Sequence, residues 1–429
     1  MSGLTLTAKV LRAHGVTDTV PGGYGLLDVD LLMLNDVSGA VALREFARMG
    51  AARVFDPTRV ACVADHFWPA KDIRSAHQVR LLREFADAQG ITDYWETGAT
   101  AEAGIEHALL AEQGRIRPGQ VVVGGDSHTC TAGALGAFGT GVGSTDVAAV
   151  LALGQLWIRV PEVHRVTFTG QPARHVTGKD LALALLRQAG VSGATYAAVE
   201  YAGQALARTT VDDRMALCNM AVEAGAKTGI VPPDEVTLDW LEPRLGYRPE
   251  ALTPDPDARY DREVTIDVSG MPPLVAAPWS PGNVRPVDEF GTGIRVHQVY
   301  VGNCANGTIS DLRAVAEMMR GRKVARGTRL VVVPATQRTY RQALAEGLVA
   351  SLVEAGAMIS PPTCGACFGG HTGILDDGEV AVATTNRNFV GRMGHPGSRV
   401  YLANAWVAGA SAVTGELTDP AVLLAERAR

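Results

Sequence analysis

QVVVGGDSH, Gln120–His128, is the stretch that decides how the rest of the chain is read. Three valines and two glycines make a short apolar run, the pattern of a strand buried on both faces. The run ends on Asp126 and His128, groups that do not belong in a core. In open α/β sheets ligands bind beyond the carboxyl ends of the strands. The stretch therefore predicts a parallel sheet with chemistry at one edge. The same grammar recurs. RVACVA (Arg59–Ala64) runs into Asp65-His66, RVHQVYVG (Arg295–Gly302) into Asn303-Cys304, and EVAVATT (Glu379–Thr385) into Asn386-Arg387. Four apolar runs that deliver polar groups at the same end are what a site shared between domains would look like.

Helical patterns such as IRSAHQVRLLREFADAQG and DLRAVAEMMRG alternate with these runs, which argues for α/β domains with mainly parallel sheets. Seams fall near residue 160 and in the Pro-rich ALTPDPDARYDREVTIDVSGMPPLVAAPWSPGNV (Ala251–Val284). We read three domains: residues 1–160, 161–265 and 266–429. The 429 residues are 47% hydrophobic and 20% charged with a net charge of −6. That is a globular composition with no basic field to draw in nucleic acid or anionic lipid. No apolar run reaches the ~18 residues of a membrane span, and MSGLTLTAKVLRAHG reads as a helix rather than a signal peptide. A cytoplasmic setting is expected.

Six cysteines are too sparse for a disulfide scaffold. Cys62 lies in an apolar run, Cys218 in the helical DDRMALCNMAVEAG, and Cys130 before a Gly/Ala-rich segment; all three read as packed thiols. Cys364 and Cys367 lie in the loop MISPPTCGACFGG (Met358–Gly370) at a spacing that suits zinc, a redox dithiol or an iron–sulfur cluster. A structural zinc would want a second pair, and there is none. There is one further cysteine in a Gly/Asn turn, Cys304 of YVGNCANG. Three thiolates leave one iron of a cubane with an open position, able to bind a hydroxyl or carboxylate as a Lewis acid.

Asp65-His66 and Asp126-x-His128 pair a carboxylate with an imidazole, which suits delivery of a proton to a departing hydroxyl. His107 in GIEHALL and Glu223 in CNMAVEAGAKTG are weaker candidates of the same kind. TNRNFVGR carries Asn386, Arg387 and Arg392, and arginine forks grip carboxylates bidentately. The glycines of AGALGAFGTGVGSTDVAAVLALG fail the context of a dinucleotide fingerprint. Asp126 and His128 already occupy the turn after the strand, so the glycines read as allowing close packing.

Blocks along almost the whole chain resemble the large subunits of the aconitase superfamily, those of 3-isopropylmalate dehydratases and homoaconitases in particular. They include DHFWPAKDIRSAHQVRLLREFA, GIEHALL, GGDSHTCTAGALGAFGTGVGSTDVA, CNMAVEAGAKTGIV, GNCANGTISDL, PTCGACFGGHTGIL and TNRNFVGRMG. The resemblance implies three aconitase-like α/β domains around a shared cleft, and a 4Fe–4S cluster on Cys304, Cys364 and Cys367. Asp65, His66, His107, Asp126, His128 and Glu223 fall on catalytic positions. Asn35, Ser127, Asn386, Arg387 and Arg392 fall on substrate-binding ones.

The implied activity is that of a hydro-lyase acting on a 2-hydroxy di- or tricarboxylic acid, first of all 3-isopropylmalate dehydratase in leucine biosynthesis. Homoaconitase, a 2-methylmalate or citraconate-type dehydratase and a specialised paralogue are the alternatives. An RNA-binding regulator and a zinc- or thiol-dependent fold are the readings from other classes, and the acidic balance argues against RNA. The chain carries no block like the mobile swivel domain of full-length aconitases. A separate small subunit in a heterodimer is therefore expected to supply a serine base and an arginine. Departures from the family pattern are GNCAN in place of GSCTN, Trp68, and the longer YWETGATAEAGIEH before His107.

Overall fold

The computed structural model of the chain describes residues 3–427, which divide into two compact units. The first unit comprises residues 3–96, 106–170 and 192–268; the second comprises residues 97–105, 171–191 and 269–427.

Unit one holds two parallel sheets. Strands β2 (Leu31–Asn35), β3 (Val60–Ala64), β4 (Tyr94–Glu96), β5 (Val121–Gly124) and β6 (Phe138–Gly141) form a sheet of order β4-β3-β2-β5-β6, every neighbouring pair parallel. β1 (Tyr24–Asp28) and β7 (Gln155–Arg159) make a separate antiparallel ribbon. The second sheet, β8 (Val163–Thr169), β9 (Ala198–Ala202), β10 (Thr228–Ile230) and β11 (Arg262–Asp267), has order β10-β9-β8-β11 and is also parallel. β2, β3 and β5 are buried along their whole length, which is why each reads as an unbroken apolar run rather than an alternating one. Chain order reverses between β2 and β5, so the switch point of the sheet lies at their carboxyl ends.

Unit two carries one sheet of seven strands. β12 (Leu274–Ala276), β13 (Val284–Pro286), β14 (Gln298–Val301), β15 (Arg329–Val332), β16 (Ala357–Ile359), β17 (Val380–Ala383) and β18 (Arg399–Leu402) lie in the order β13-β12-β18-β17-β14-β15-β16. Only β12 runs antiparallel to its neighbours. The switch point here lies between β14 and β17. The helix Gly178–Ala189 belongs to this unit although it follows β8 in the chain. Thr177 and Asp180 form a capping box at its start, and Asp180 also accepts from the Leu274 amide at 2.8 Å and the Asn404 side chain at 2.8 Å.

The expected strands all form, each a residue or more shorter than the apolar run that announced it, and the N-terminal helix spans Leu6–Ala13. The glycine-rich stretch is a packing device. A Cβ on Gly133 would land on the Gly229 carbonyl, and one on Gly139 or Gly141 on the carbonyls of Thr129 or Asp126. The Ser127–Leu135 3-10 helix thus sits backbone against backbone on β10 and β6.

Candidate active site and thiol loops

In unit one the polar residues gather beyond β2, β3 and β5. Asp65 follows β3, and its Oδ1 lies 2.6 Å from His66 Nδ1. Its Oδ2 accepts from the Glu106 amide at 2.8 Å, at the start of the helix Glu106–Glu112. His66 Nε2 lies 3.4 Å from Asp126 Oδ2. Asp126, two residues past β5, meets two more imidazoles: its Oδ1 lies 3.4 Å from His107 Nε2 and 3.2 Å from His128 Nδ1. His128 Nε2 continues to Glu223 Oε1 at 3.1 Å. Glu223 comes from the 3-10 turn Met220–Ala224. All six expected catalytic side chains of this unit thus join in one connected array.

Charge is distributed unevenly through it. Burial works against the imidazolium of His66, but Asp65 and Asp126 outweigh it and hold the pKa well above the usual value. Burial likewise opposes the Asp126 carboxylate, yet hydrogen bonds from His107, His128 and His66 keep its pKa well below the usual range. Asp126 is the fixed negative hub of three histidines. His107 Nδ1 is buried with no hydrogen-bond partner among the described residues.

Two members were not read from the sequence. Asp36, fully buried, accepts the amides of Asp65, His66 and Phe67 at 3.0, 2.9 and 2.7 Å and so clamps the turn that presents the first Asp–His pair. Burial raises its pKa. It stands directly after β2, where the rule that found Asp65 applies equally. Glu106, 1% exposed, lies 3.7 Å from His107 Nε2, and burial pushes its carboxyl up to about 7. Asn35 donates to Glu106 Oε1 at 2.9 Å, and its own oxygen accepts from Val37, Ser38 and the Ser38 hydroxyl. Its contacts are thus with the protein's own carboxylate and the start of a helix. Ser127 opens the 3-10 helix between Asp126 and His128, half-buried.

In unit two the cysteines occupy the corresponding edge. Cys304 follows β14; after β16, Cys364 caps the 3-10 turn Gly365–Phe368 and Cys367 lies within it. Their exposures are 4%, 8% and 2%. The turn needs glycine at 365, where φ is +55° and a Cβ would meet the Tyr300 hydroxyl at 2.9 Å. Asn386, at the end of β17, ties the two loops. Its Oδ1 accepts from Cys367 Sγ at 3.1 Å, and its Nδ2 lies 3.6 Å from Cys304 Sγ. Asn303 accepts from the amides of Ala305 and Asn306 at 2.8 and 2.6 Å and donates to the Thr384 carbonyl at 3.2 Å and to Asn386 Oδ1 at 3.3 Å. The Ser-to-Asn departure therefore adds a brace to the loop of the first thiol. Below it the fully buried Lys179 donates to the carbonyls of Thr384 and Thr385 at 3.0 and 2.6 Å. Arg387 is half-buried next to Asn386. Arg392 carries a buried Nε with no partner among the described residues, and its carbonyl packs on Gly369, where a Cβ would meet it at 2.9 Å.

Cys62, Cys130 and Cys218 belong to unit one and are buried there. Cys130 Sγ lies 3.3 Å from the Asn219 carbonyl, and burial raises the Cys62 and Cys218 thiols. All three behave as packed side chains.

Two switch points, one lined with imidazoles and carboxylates and the other with buried thiols, define an α/β lyase scaffold, and comparison with known proteins agrees. The aconitase family model (aconitate hydratase) matches residues 8–415, and the chain belongs to that family. Similar relatives include 3-isopropylmalate dehydratase large subunit 2 of Rubrobacter xylanophilus, 53% identical over 99% of both chains. The large subunit of Moorella thermoacetica is 51% identical, and large subunit 1 of Methanopyrus kandleri 47% identical, each over 97% of this chain and 99% of its own. Among solved structures, aconitase X of Thermococcus kodakaraensis in its holo form shares the fold, with a TM-score of 0.50 over 89% of this chain and 88% of its own at 13% identity. No described helix is long and apolar enough to cross a membrane.

Proposed function

We propose that the chain is the large subunit of a 3-isopropylmalate dehydratase, interconverting 2- and 3-isopropylmalate through the unsaturated diacid. The observation that carries this reading is the trio of buried thiols braced by Asn303 and Asn386, in a chain about half identical over its full length to proteins of that name.

The thiol donors fit a 4Fe–4S cluster. They are soft, buried, carried by two loops, and lined by neutral amides and hydroxyls that leave the sulfurs as the natural ligands. Cys304, Cys364 and Cys367 would hold it, and when bound it supplies a Lewis-acidic iron for the substrate hydroxyl. The remaining chemistry belongs to the protein. His66 is kept protonated at neutral pH by Asp65 and Asp126, so it is suited to give its Nε2 proton to a departing hydroxyl. Asp65 fixes the ring through Nδ1, and Asp36 fixes Asp65. His128 and Glu223 form a second proton-holding pair. Arg387 and Arg392 are assigned to the substrate carboxylates, where a guanidinium fork matches a carboxylate edge.

The name "large subunit" on the relatives supports a small-subunit partner for this chain, and that partner is assigned the base that takes the C–H proton. The test is anaerobic reconstitution with iron and sulfide, followed by assay of 2-isopropylmalate isomerisation with and without the small subunit encoded by the same organism. Turnover only in the pair is expected. An inactive pair that holds a full cluster sinks the substrate assignment, and full activity of this chain alone sinks the division of labour.

A further inference from the structure

The strands that end at Asp36, Asp65 and Asp126 begin in a second polar setting. β2 is preceded by Asp30, β3 by Arg59 and β5 by Gln120, and because the three strands are parallel these residues share the opposite edge of the sheet. There a cavity of about 260 Å³ is lined by Asp30, Leu31, Thr58, Arg59, Arg115, Arg117 and Gln120. Three guanidinium groups face one carboxylate in it. That carboxylate is already engaged: Asp30 Oδ2 lies 2.7 Å from His14 Nε2 and accepts the Val121 amide at 2.8 Å. Arg115 pairs with Asp93 at 2.6 Å and donates to the Thr58 carbonyl at 2.8 Å, and Arg59 is held by the carbonyls of Val29 and Asp30.

Arg117 is different. Its backbone amide donates to Gln120 Oε1 at 2.8 Å, but its guanidinium makes no hydrogen bond or ion pair among the described residues. Its Nε is buried and unpartnered, and so is the Nε of Arg115 in the same cavity. Two cationic side chains lining one cavity, each with an Nε that has no partner among the described residues, leave donor capacity that an acceptor in the cavity would use. Water can fill one such position. With Arg59 3.5 Å from Asp30 and Arg115 paired to Asp93, Arg117 is the lining charge with no counter-ion among the described residues. That surplus positive charge favours an anion, to which charge-assisted bonds are about twice as strong. The cavity is smaller than the roughly 300–1,000 Å³ of sites for drug-sized ligands, which limits the occupant to a small ion.

We propose that this cavity is a binding site for a small oxyanion, held by Arg117 and Arg115 at the amino ends of β2, β3 and β5, away from the reacting groups. The proposal is independent of the reaction assigned above.

The test is isothermal titration of the full chain in chloride buffer with inorganic phosphate and, separately, with succinate. Wild type, Arg117→Gln and Arg387→Gln are compared, the last to report binding at the loop assigned to substrate carboxylates. Saturable binding that weakens about ten-fold or more in Arg117→Gln, from loss of one charge-assisted contact, and persists in Arg387→Gln is the expected result. Whether phosphate or succinate shows it distinguishes a tetrahedral anion from a dicarboxylate, and either supports the site. Because the Arg117 side chain bonds to nothing else among the described residues, the thermal midpoint of its variant without ligand should match wild type, while stabilisation by the anion is lost. No saturable binding, or binding that is lost only in Arg387→Gln, overturns the proposal.

Discussion

The carboxyl edge of the five-stranded sheet and that of the seven-stranded sheet have the same plan and opposite chemistry. Each is a switch point of parallel strands, and each gathers loops from strands far apart in sequence. At the first edge, side chains satisfy one another by charge: Asp126 serves three histidines, and Asp65 and Asp126 stabilise the His66 imidazolium. At the second, neutral amides do the holding. Asn303 and Asn386 brace the thiol loops, and the buried cation Lys179 directs its donors to backbone carbonyls. A parallel sheet determines where groups converge, and the residues after each strand determine what they do. Proton handling wants charges that adjust to each other; thiol ligands want a frame that does not compete for the metal.

This contrast can be broken in order of expected effect. In protein reconstituted with iron and sulfide, Cys304→Ser should prevent the absorbance of the proposed cluster and lower activity by about 10³-fold or more, the scale set by a Lewis acid worth several kcal/mol; anaerobic absorbance and iron counting read it. His66→Asn should leave iron content unchanged and lower kcat by about 10²–10⁴-fold, the usual range for general acid catalysis. Loss of iron in that variant would erase the division of roles drawn here. Lys179→Met leaves the carbonyls of Thr384 and Thr385 without their buried donor. It should cost about 1–3 kcal/mol in denaturant unfolding and speed iron loss on exposure to air.

Glu106 gives the subtlest reading. Its carboxyl titrates at about 7 in the fold against 4.5 in the unfolded chain. Between those values the folded chain keeps a proton that the unfolded chain has released, so this group's contribution to stability is full below pH 4.5 and declines as pH rises to 7. Glu106→Gln should flatten the decline by up to about 1.4 kcal/mol per pH unit, read by urea midpoints across that window.

What the sequence disclosed follows from burial. Strands buried on both faces appear as apolar runs, and a titratable residue at the end of such a run stands out. Asp65, Asp126, Cys304 and Asn386 were legible for that reason. Asp36 obeys the same rule, directly after β2, but sits beside Asn35, a position marked only through the family resemblance. Glu106 precedes His107 in a helical run and looks like any first-turn acid. Lys179 follows a helix cap and looks like a surface lysine. Its burial depends on contact with Thr384, some two hundred residues away, and no local pattern encodes that. The assignment of the Gly178–Ala189 helix to the second unit is hidden in the same manner.

One consequence remains from the bare backbone contact at Gly133. The 3-10 helix that begins after Asp126 leans on β10 through a spot where not even a methyl group fits. Any larger residue there has to tilt the helix, and His128 would swing with it, away from Glu223 or from Asp126. A hydrogen atom 133 positions into the chain is thus a spacer that keeps one histidine at working reach of two acids, and a search for tolerated variation in this protein should find that position immovable.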